Sequence, residues 1–350
     1  METSIMNLYR WIDRSRLQFD FLYFTDRVCH YDSEIQALGG IIYRLPPVNN
    51  PASRFWSTFQ FLRAHPEFVA VHNHTLLDGG LYLLAAYFGS VSSRIAHSHT
   101  TRANLRLSAF SLLYQRISIK LMQWCANRYV ACGHAAGQFL FGPSRPFHIM
   151  RNGIALTRFA ASSPSLLRSL LNLPADCRVL CQIGRLDYQK NPGYSLSIAR
   201  KLTQMGYHYH LVFVGDGQMI GDLEDTVVTF GLEKHVSFLG NRNDIPDILA
   251  GSDLMLLPSF YEGFPLVLVE SQAAGLPAVV SNQVSEEVDL GLGLIEFLPL
   301  VSVDQWCKTI IKFASATSPS RDDRIAVLEK AGFDAASNAA RLNELYGLPR

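Results

Sequence analysis

The stretch that decides the fold reads Pro258-Ser259-Phe260-Tyr261-Glu262-Gly263-Phe264-Pro265-Leu266-Val267-Leu268-Val269-Glu270-Ser271-Gln272-Ala273-Ala274-Gly275. An apolar run over 254–257 leads into it and ends as a strand at Pro258. Pro265 is predicted as a first helical residue, where a missing N–H costs nothing. Gly275, followed by Pro277, is the predicted stop. A strand, a glycine-containing loop and a helix N-terminus together turn free backbone N–H groups toward an anion at the carboxyl edge of a sheet. Two carboxylates flank that N-terminus, Glu262 before it and Glu270 inside the helix. Carboxylates suit sugar and ribose hydroxyls, which they hold through charge-assisted hydrogen bonds. Taken singly, each has a plainer reading: Glu262 as an acid near a positive dipole end, Glu270 as an exposed helical residue.

A second loop changes that balance. Cys181-Gln182-Ile183-Gly184-Arg185-Leu186-Asp187-Tyr188-Gln189-Lys190-Asn191-Pro192 follows another strand pattern, and Gly184 lets the backbone turn tightly before two cations, Arg185 and Lys190. Cations beside a departing diphosphate stabilise the charge that develops as a glycosidic bond breaks. Alone, the pair would read as ordinary surface decoration.

Outward from these loops, short β-type runs alternate with amphipathic helical stretches, the signature of parallel α/β layers. Strands are predicted at 19–23, 40–45, 68–72, 93–97 and 128–132, with helices over 53–65 and 108–126 between them. The second half repeats the rhythm at 178–183, 210–214, 236–239, 254–257, 277–280 and 293–297, several of them unbroken apolar runs suited to a sheet covered on both faces. Two doubly wound units fit this better than one very wide sheet. A domain over 1–153 is therefore expected, a second over 154–334, and a last helix within 335–350 that packs back across the first. The boundary falls near 150–164, where Asn152-Gly153 supplies a turn and Ser162-Ser163-Pro164 a loose linker.

Length and an apolar content of 48% allow substantial cores in both units. The six cysteines form no C-x-x-C pair, which argues against a zinc ribbon or a thioredoxin-like motif and suits a reducing cytosol. No secretory leader pattern opens the chain, and the most apolar short run, 79–88, is too short to span a bilayer, which needs about 20 residues. A cytoplasmic location is expected. Charge is lopsided. No Asp or Glu lies between Asp78 and Asp176, an interval that holds ten arginines and lysines, Arg102 and Arg106 among them. Residues 1–175 carry 17 basic and 8 acidic side chains, and residues 176–350 carry 14 and 22. The basic half points to an anionic membrane surface, a phosphorylated acceptor, or the acidic half of the same chain. Nucleic acid is not expected, since the arginines are dispersed and no binding motif accompanies them.

Five features occur in order: Arg94-Ile95-Ala96-His97-Ser98-His99, Asn152-Gly153-Ile154, Gly184-Arg185-Leu186 through Lys190-Asn191-Pro192, Val214-Gly215-Asp216-Gly217, and the E-x(7)-E pair Glu262 and Glu270. With them the chain resembles, over essentially its whole length, the retaining glycosyltransferases of family 4, in particular bacterial enzymes of exopolysaccharide or capsule synthesis. The resemblance implies a GT-B fold, two Rossmann-like doubly wound domains facing across a cleft. It implies a hexosyl transfer from a nucleotide-sugar, a UDP-sugar above all, to a saccharide or lipid-linked acceptor. Arg185 and Lys190 would hold the donor diphosphate and Glu270 the ribose. Glu262 and the backbone of Gly263, Phe264, Pro265 and Leu266 would meet the donor sugar and phosphate, and Asn243-Asp244-Ile245 would lie near the base. No metal or other cofactor is implied, in keeping with the absence of a D-x-D motif. Val214-Gly215-Asp216-Gly217 carries little weight alone, because G-x-G also makes ordinary strand-to-helix turns.

Histidines need separate weighing. His72-Asn73-His74 and His97-Ser98-His99 each put two imidazoles on one side of an extended segment, which could suit a metal. With only Asp78 as a nearby carboxylate, no metal site is expected. In resembling enzymes a histidine at the end of this strand faces the transferred sugar; His97 and His99 are both candidates, and His99 is nearer the loop.

Two departures stand out. Resembling enzymes open with a strand and a Gly-Gly-x-Glu-Thr loop, of which Met1-Glu2-Thr3 matches only the tail, so the chain is expected to start inside that loop without its first strand. Such a loss would leave backbone groups unpaired and weaken the first domain. Ala155 also stands where the family often has Asp. Two other readings therefore remain open: a non-catalytic paralogue that still binds nucleotide, and a GT-B nucleotide-sugar epimerase.

Overall fold

The computed structural model describes residues 2–47, 50–76, 78–99, 108–160, 162–314 and 317–347. Arg102, Arg106 and Met1 lie outside the described residues. The chain divides into two compact units, Met1–Gly153 with Gly332–Arg350, and Ile154–Ala331.

The first unit runs α1 (Glu2–Tyr9), β1 (Phe21–Tyr23), α2 (Asp32–Ala37), β2 (Ile42–Arg44), α3 (Pro51–Ala64), β3 (Ala70–Asn73), α4 (Gly79–Phe88), β4 (Ser93–Ser98), α5 (Ala109–Cys125), β5 (Arg128–Ala131), α6 (His134–Phe141) and β6 (His148–Ile149). All its strand pairs are parallel, and helices make the crossovers that parallel pairing requires. β1 and β2 form one ribbon, and β3-β4-β5-β6 a four-stranded sheet in that order. The sequence pattern did not reveal β6, whose two residues are too few to show a period. Among the described residues β1 pairs only with β2, and β3 only with β4.

Residues 2–9 are helical rather than the loop remnant expected from the sequence. Burial explains the difference. Met6, Leu8 and Tyr9 enter the core with Ile12, and the Tyr9 ring stacks on Phe19 with centroids 5.5 Å apart. Asn7 Nδ2 donates to the Gly153 carbonyl at 2.8 Å, tying α1 to the end of the unit's first chain segment.

The second unit continues with α7 (Leu156–Ala160), α8 (Ser165–Leu170), β7 (Arg178–Ile183), α9 (Pro192–Gln204), β8 (Tyr209–Val214), α10 (Ile220–Phe230), β9 (Val236–Phe238), α11 (Ile245–Ala250), β10 (Leu254–Leu257), α12 (Leu266–Ala274), β11 (Ala278–Ser281), β12 (Ile295–Leu298), α13 (Val303–Phe313) and α14 (Arg321–Lys330). Its six strands are parallel in the order β12-β11-β10-β7-β8-β9. Every residue of β8, β10 and β11 is buried, which accounts for their largely apolar composition, with His210 and Ser281 as buried polar exceptions. The core includes Phe213 and Trp306, and each such side chain contributes on the order of 2–3 kcal/mol by leaving water.

Topology positions the site. From β7 the chain winds outward through β8 and β9, then returns to lay β10 on the other side of β7. The order therefore reverses between β7 and β10, and ligands of open α/β sheets bind outside the carboxyl ends of strands at such a point. The two loops singled out in the sequence are those that leave β7 and β10.

Two helices, α15 (Ala335–Ala340) and α16 (Leu342–Tyr346), then complete the first unit. One helix was expected over this stretch; the structure breaks it at Arg341. Asp334 starts the first of the pair, accepting from the Ala336 and Ser337 N–H groups. Leu342, Leu345 and Tyr346 share a core with Met6, Ile95 and Val130.

Candidate active site

The loop after β7 is built on glycine. Gly184 has φ +140°, in the region that side chains avoid, and a Cβ there would meet the Lys190 stem at 3.3 Å. Its N–H donates to the Val214 carbonyl, and Leu186 N–H to the Asp216 carbonyl, so the loops after β7 and β8 run against each other. The contact is close because Gly215 (φ +131°) and Gly217 carry no side chains: a Cβ on Gly215 would lie 2.1 Å from the Gly184 oxygen, and one on Gly217 2.2 Å from the Leu186 oxygen. What the sequence shows as an unspecific G-x-G is a backbone packing requirement.

After that turn a short 3-10 helix, Tyr188–Lys190, is capped by Asp187, whose carboxylate accepts from the Lys190 N–H. Asn191 follows with φ +51° and starts α9, with Pro192 at the first helical position. Gln182, buried on β7, donates to the Lys190 carbonyl at 2.9 Å and accepts from the Ser195 hydroxyl at 2.7 Å. Lys190 is thus fixed by its own backbone. Arg185 is different: its side chain is 75% exposed and pairs with Asp187 at 3.4 Å.

The β10 loop meets this one directly. Phe260 N–H donates to the Gln189 carbonyl at 2.9 Å, Gln189 Nε2 donates to the Tyr261 carbonyl at 3.1 Å, and the Tyr188 and Phe260 rings stack at 4.8 Å. Across this latch the Lys190 ammonium stands 2.7 Å from Glu262 Oε1, with the two side chains 14% and 10% exposed. The contact is an ion pair without the direction of a good hydrogen bond, and Glu262 Oε1 has no hydrogen-bond donor among the described residues. Glu262 is also held by its backbone, which bridges to Val284. Gly263 is exposed and Phe264 half-buried. Pro265 is the residue before α12, in extended conformation, rather than its first helical residue as predicted; the helix begins at half-buried Leu266 and ends at Gly275 in the left-handed region.

Glu270, the fifth residue of α12, is half-buried rather than freely exposed, and burial pushes its carboxyl up to about 7, with the Arg158 guanidinium of α7 opposing the rise. Arg158 Nη2 also donates to the Asn243 carbonyl at 2.6 Å, and Asp244 forms a bidentate pair with Arg242. Asn243 is exposed and Ile245 opens α11. The structure so gathers Gly184, Lys190 and Glu262 in one group and links Glu270 and Asn243 through Arg158 in another. The sequence reading passed over Arg158, a lone arginine on a five-residue helix with no motif around it.

A raised carboxyl has a stability consequence. Between about pH 4.5 and 7 the folded Glu270 keeps a proton that the unfolded chain releases, so stability falls as pH rises through that window. Glu270→Gln is expected to raise the melting temperature above that of the parent at pH 8 and to match it at pH 4.5. A difference between the two proteins that does not change with pH would contradict this.

His97 and His99 belong to the first unit, at the end of β4 and just beyond it. In-register pairing of β3 with β4 sets His72 and His74 beside them. His72 Nε2 lies 3.1 Å from His97 Nδ1, His74 Nδ1 lies 2.8 Å from His99 Nε2, and Tyr346 Oη lies 2.7 Å from His72 Nδ1. Burial holds His72 at about 3 and His99 at about 4, and lowers His74 and His97 well below the usual imidazole range, with neighbouring imidazoles adding to the effect at His72, His74 and His97. All four are neutral at pH 7.

Glycine turns, two cations and two carboxylates so stand at the reversal point of a doubly wound sheet, the place where open α/β sheets bind their ligands. The family described as glycosyl transferases group 1 matches residues 167–289, which contain both loops. The chain is 35% identical over 356 residues, 99% of its own length and 93% of the relative's, to a putative glycosyltransferase EpsF of Bacillus subtilis. It is 32% identical over 223 residues, 61% of this chain and 57% of the relative, to the Escherichia coli UDP-Gal:alpha-D-GlcNAc-diphosphoundecaprenol alpha-1,3-galactosyltransferase. Among solved structures, Anabaena HepE in complex with UDP-glucose superposes with a TM-score of 0.78 at 19% identity, over 99% of this chain and 95% of that one. The chain belongs to the group 1 glycosyltransferases, and its fold is of the GT-B type.

Proposed function

We propose that this glycosyltransferase is a retaining enzyme of family 4 that moves a sugar from a UDP-sugar to a saccharide or lipid-linked acceptor in the assembly of a cell-surface polysaccharide. The observation that carries the reading is the Lys190–Glu262 pair, fixed by two interlocked loops at the reversal point of the sheet. An ammonium so placed meets the leaving diphosphate, and the exposed Arg185 is free to swing onto it. These two cations supply the charge that a metal would otherwise bring, so donor chemistry needs no ion. Glu262, with the backbone of 263–266, meets the donor sugar; Glu270 accepts from the ribose hydroxyls, and residues 243–245 lie near the base. In this reading the acceptor hydroxyl attacks from the face the nucleotide leaves, and the departing phosphate takes its proton. The names of the relatives support the donor and acceptor classes: one structure holds UDP-glucose, and one relative acts on a diphosphoundecaprenol-linked sugar.

The test is transfer of labelled sugar from UDP-glucose and UDP-galactose to an undecaprenyl-diphosphate-linked acceptor, with the anomeric configuration of product and donor compared. Retained configuration supports the reading. Nucleotide binding with neither transfer nor hydrolysis, or isomerisation of the donor alone, refutes it.

A lipid-linked acceptor lies at a membrane surface, and the first unit offers a face for one. No helix among the described residues is long and apolar enough to cross a membrane. On α5, however, Phe110, Leu113, Ile117 and Trp124 are all exposed, Phe110 at 79% and Trp124 at 63%. Their spacing of 3, 4 and 7 residues puts them on one stripe of the helix. Exposed Arg116 and Lys120 sit beside that stripe on a stretch of chain without acidic residues. Apolar side chains flanked by cations fit the interface of an anionic bilayer, on whose cytoplasmic side the protein would work. Vesicles containing phosphatidylglycerol are expected to sediment the protein, vesicles of phosphatidylcholine are not, and Phe110→Ser with Trp124→Ser should abolish the difference. Equal sedimentation with both lipids would contradict the assignment.

A further inference from the structure

Four histidines cluster at the carboxyl ends of β3 and β4, and of these the resemblance gives a role only to His97 or His99. Each His-x-His pair supplies two ligands, and the want of a nearby carboxylate other than Asp78 counted against a metal in the sequence. The parallel register of β3 and β4 supplies the third. His72, His74 and His97 place one ring nitrogen each within 4.8 Å of one another. The rings stack in pairs, with centroids 4.1 Å apart for His72–His74 and 5.2 Å for His72–His97.

Two details go beyond mere proximity. The Tyr346 hydroxyl meets His72 Nδ1, and His99 meets His74 Nδ1, so both histidines have Nδ1 engaged by an outer partner and turn Nε2 to the cluster, that of His72 onto His97 Nδ1. Metal-bound histidines are oriented in just this way by the group on their other nitrogen. The 3.1 Å between His72 Nε2 and His97 Nδ1 is close to the roughly 3.3 Å that separates two nitrogens bound at about 2.0 Å to one tetrahedral ion. Asp78 does not intrude, since its carboxylate is held by Arg54 and by the Tyr114 hydroxyl.

We propose that His72, His74 and His97 form an all-imidazole site for a divalent cation of the zinc type, with a fourth position open. Three imidazoles and no carboxylate or thiolate suit Zn2+, Co2+, Ni2+ or Cu2+ and disfavour Mg2+ and Ca2+. The ion ties β3 to β4, and through Tyr346 to α16. His97 is also a candidate to face the transferred sugar, and the test of the metal site measures no turnover, so the two readings can fail separately.

Untagged full-length protein titrated with ZnCl2 is expected to bind one equivalent of Zn2+ and to gain thermal stability, as any ligand of the folded state confers. The Co2+-loaded protein should show the visible d–d bands of tetrahedral nitrogen ligation and no thiolate charge-transfer band. His72→Gln and His97→Gln should abolish stoichiometric binding, while exposed His208→Gln should not alter it. Should the histidine variants fail to fold, Tyr346→Phe, which removes only the outer hydroxyl, should still weaken Zn2+ affinity by about 10–100-fold. No binding by the parent protein, a thiolate band, or unchanged affinity in His72→Gln, His97→Gln or Tyr346→Phe overturns the site.

Discussion

Replacing Lys190 by methionine should lower kcat by about 10²–10³-fold, the usual cost of removing one preorganised charge from a transition state. KM for the donor should change far less, because the charge on the leaving phosphate grows only as the bond breaks. Loss of Lys190 also leaves the 10%-exposed Glu262 carboxylate without its cation, so stability should drop as well. The two effects can be separated. Adding Glu262→Gln to Lys190→Met removes the stranded charge and should restore the melting temperature, yet activity should stay as low as in the single variant. Recovery of activity in the double variant would reduce Lys190 to a structural partner of Glu262.

Gly215→Ala is the largest expected change in stability. Its Cβ would stand 2.1 Å from the Gly184 oxygen on a backbone with φ +131°. Overpacking costs about 1–3 kcal/mol and a forced backbone conformation about as much again. Against a typical total of about 5–15 kcal/mol, the melting temperature should fall by roughly 10 °C. Since the atom it strikes belongs to the turn before Arg185 and Lys190, nucleotide affinity should fall with it. Gly221→Ala, on α10 with open space around it, is the matching control and should be neutral or mildly stabilising. Equal melting temperatures for Gly215→Ala and the parent would mean that the two loops do not need their close approach.

These variants also show how much the sequence could reveal. The strands of the second unit were legible because burial on both faces leaves mostly apolar residues in β8, β10 and β11, with His210 and Ser281 as the polar exceptions. The loops after β7 and β10 were legible from glycines and charges at the ends of such runs. Their pairing was not. Lys190 and Glu262 are 72 positions apart, and only the reversal of strand order makes their loops neighbours. The Phe260 N–H to Gln189 bond and the Tyr188–Phe260 stack belong to the same class, contacts that depend on which strand lies beside which. Arg158 was hidden for another reason, since a single cation has no period and its partners are a backbone carbonyl and a distant carboxyl. At the start of the chain, family likeness pointed to a loop, whereas the apolar face of Met6 and Tyr9 was decisive for a helix. The histidines were visible as two separate pairs; register alone joins them.

The placement of α15 and α16 bears on the order in which the protein can be made. Residues 154–331 form a continuous segment that has all its own strands once it has left the ribosome. The first unit, although synthesised first, shares its core with Leu342, Leu345 and Tyr346 and must wait for them. Through the whole synthesis of the second unit, Met6, Ile95 and Val130 lack their last covering residues. Residues 154–331 can therefore close their core before the first unit receives Leu342, Leu345 and Tyr346, the reverse of the order in which the two are synthesised.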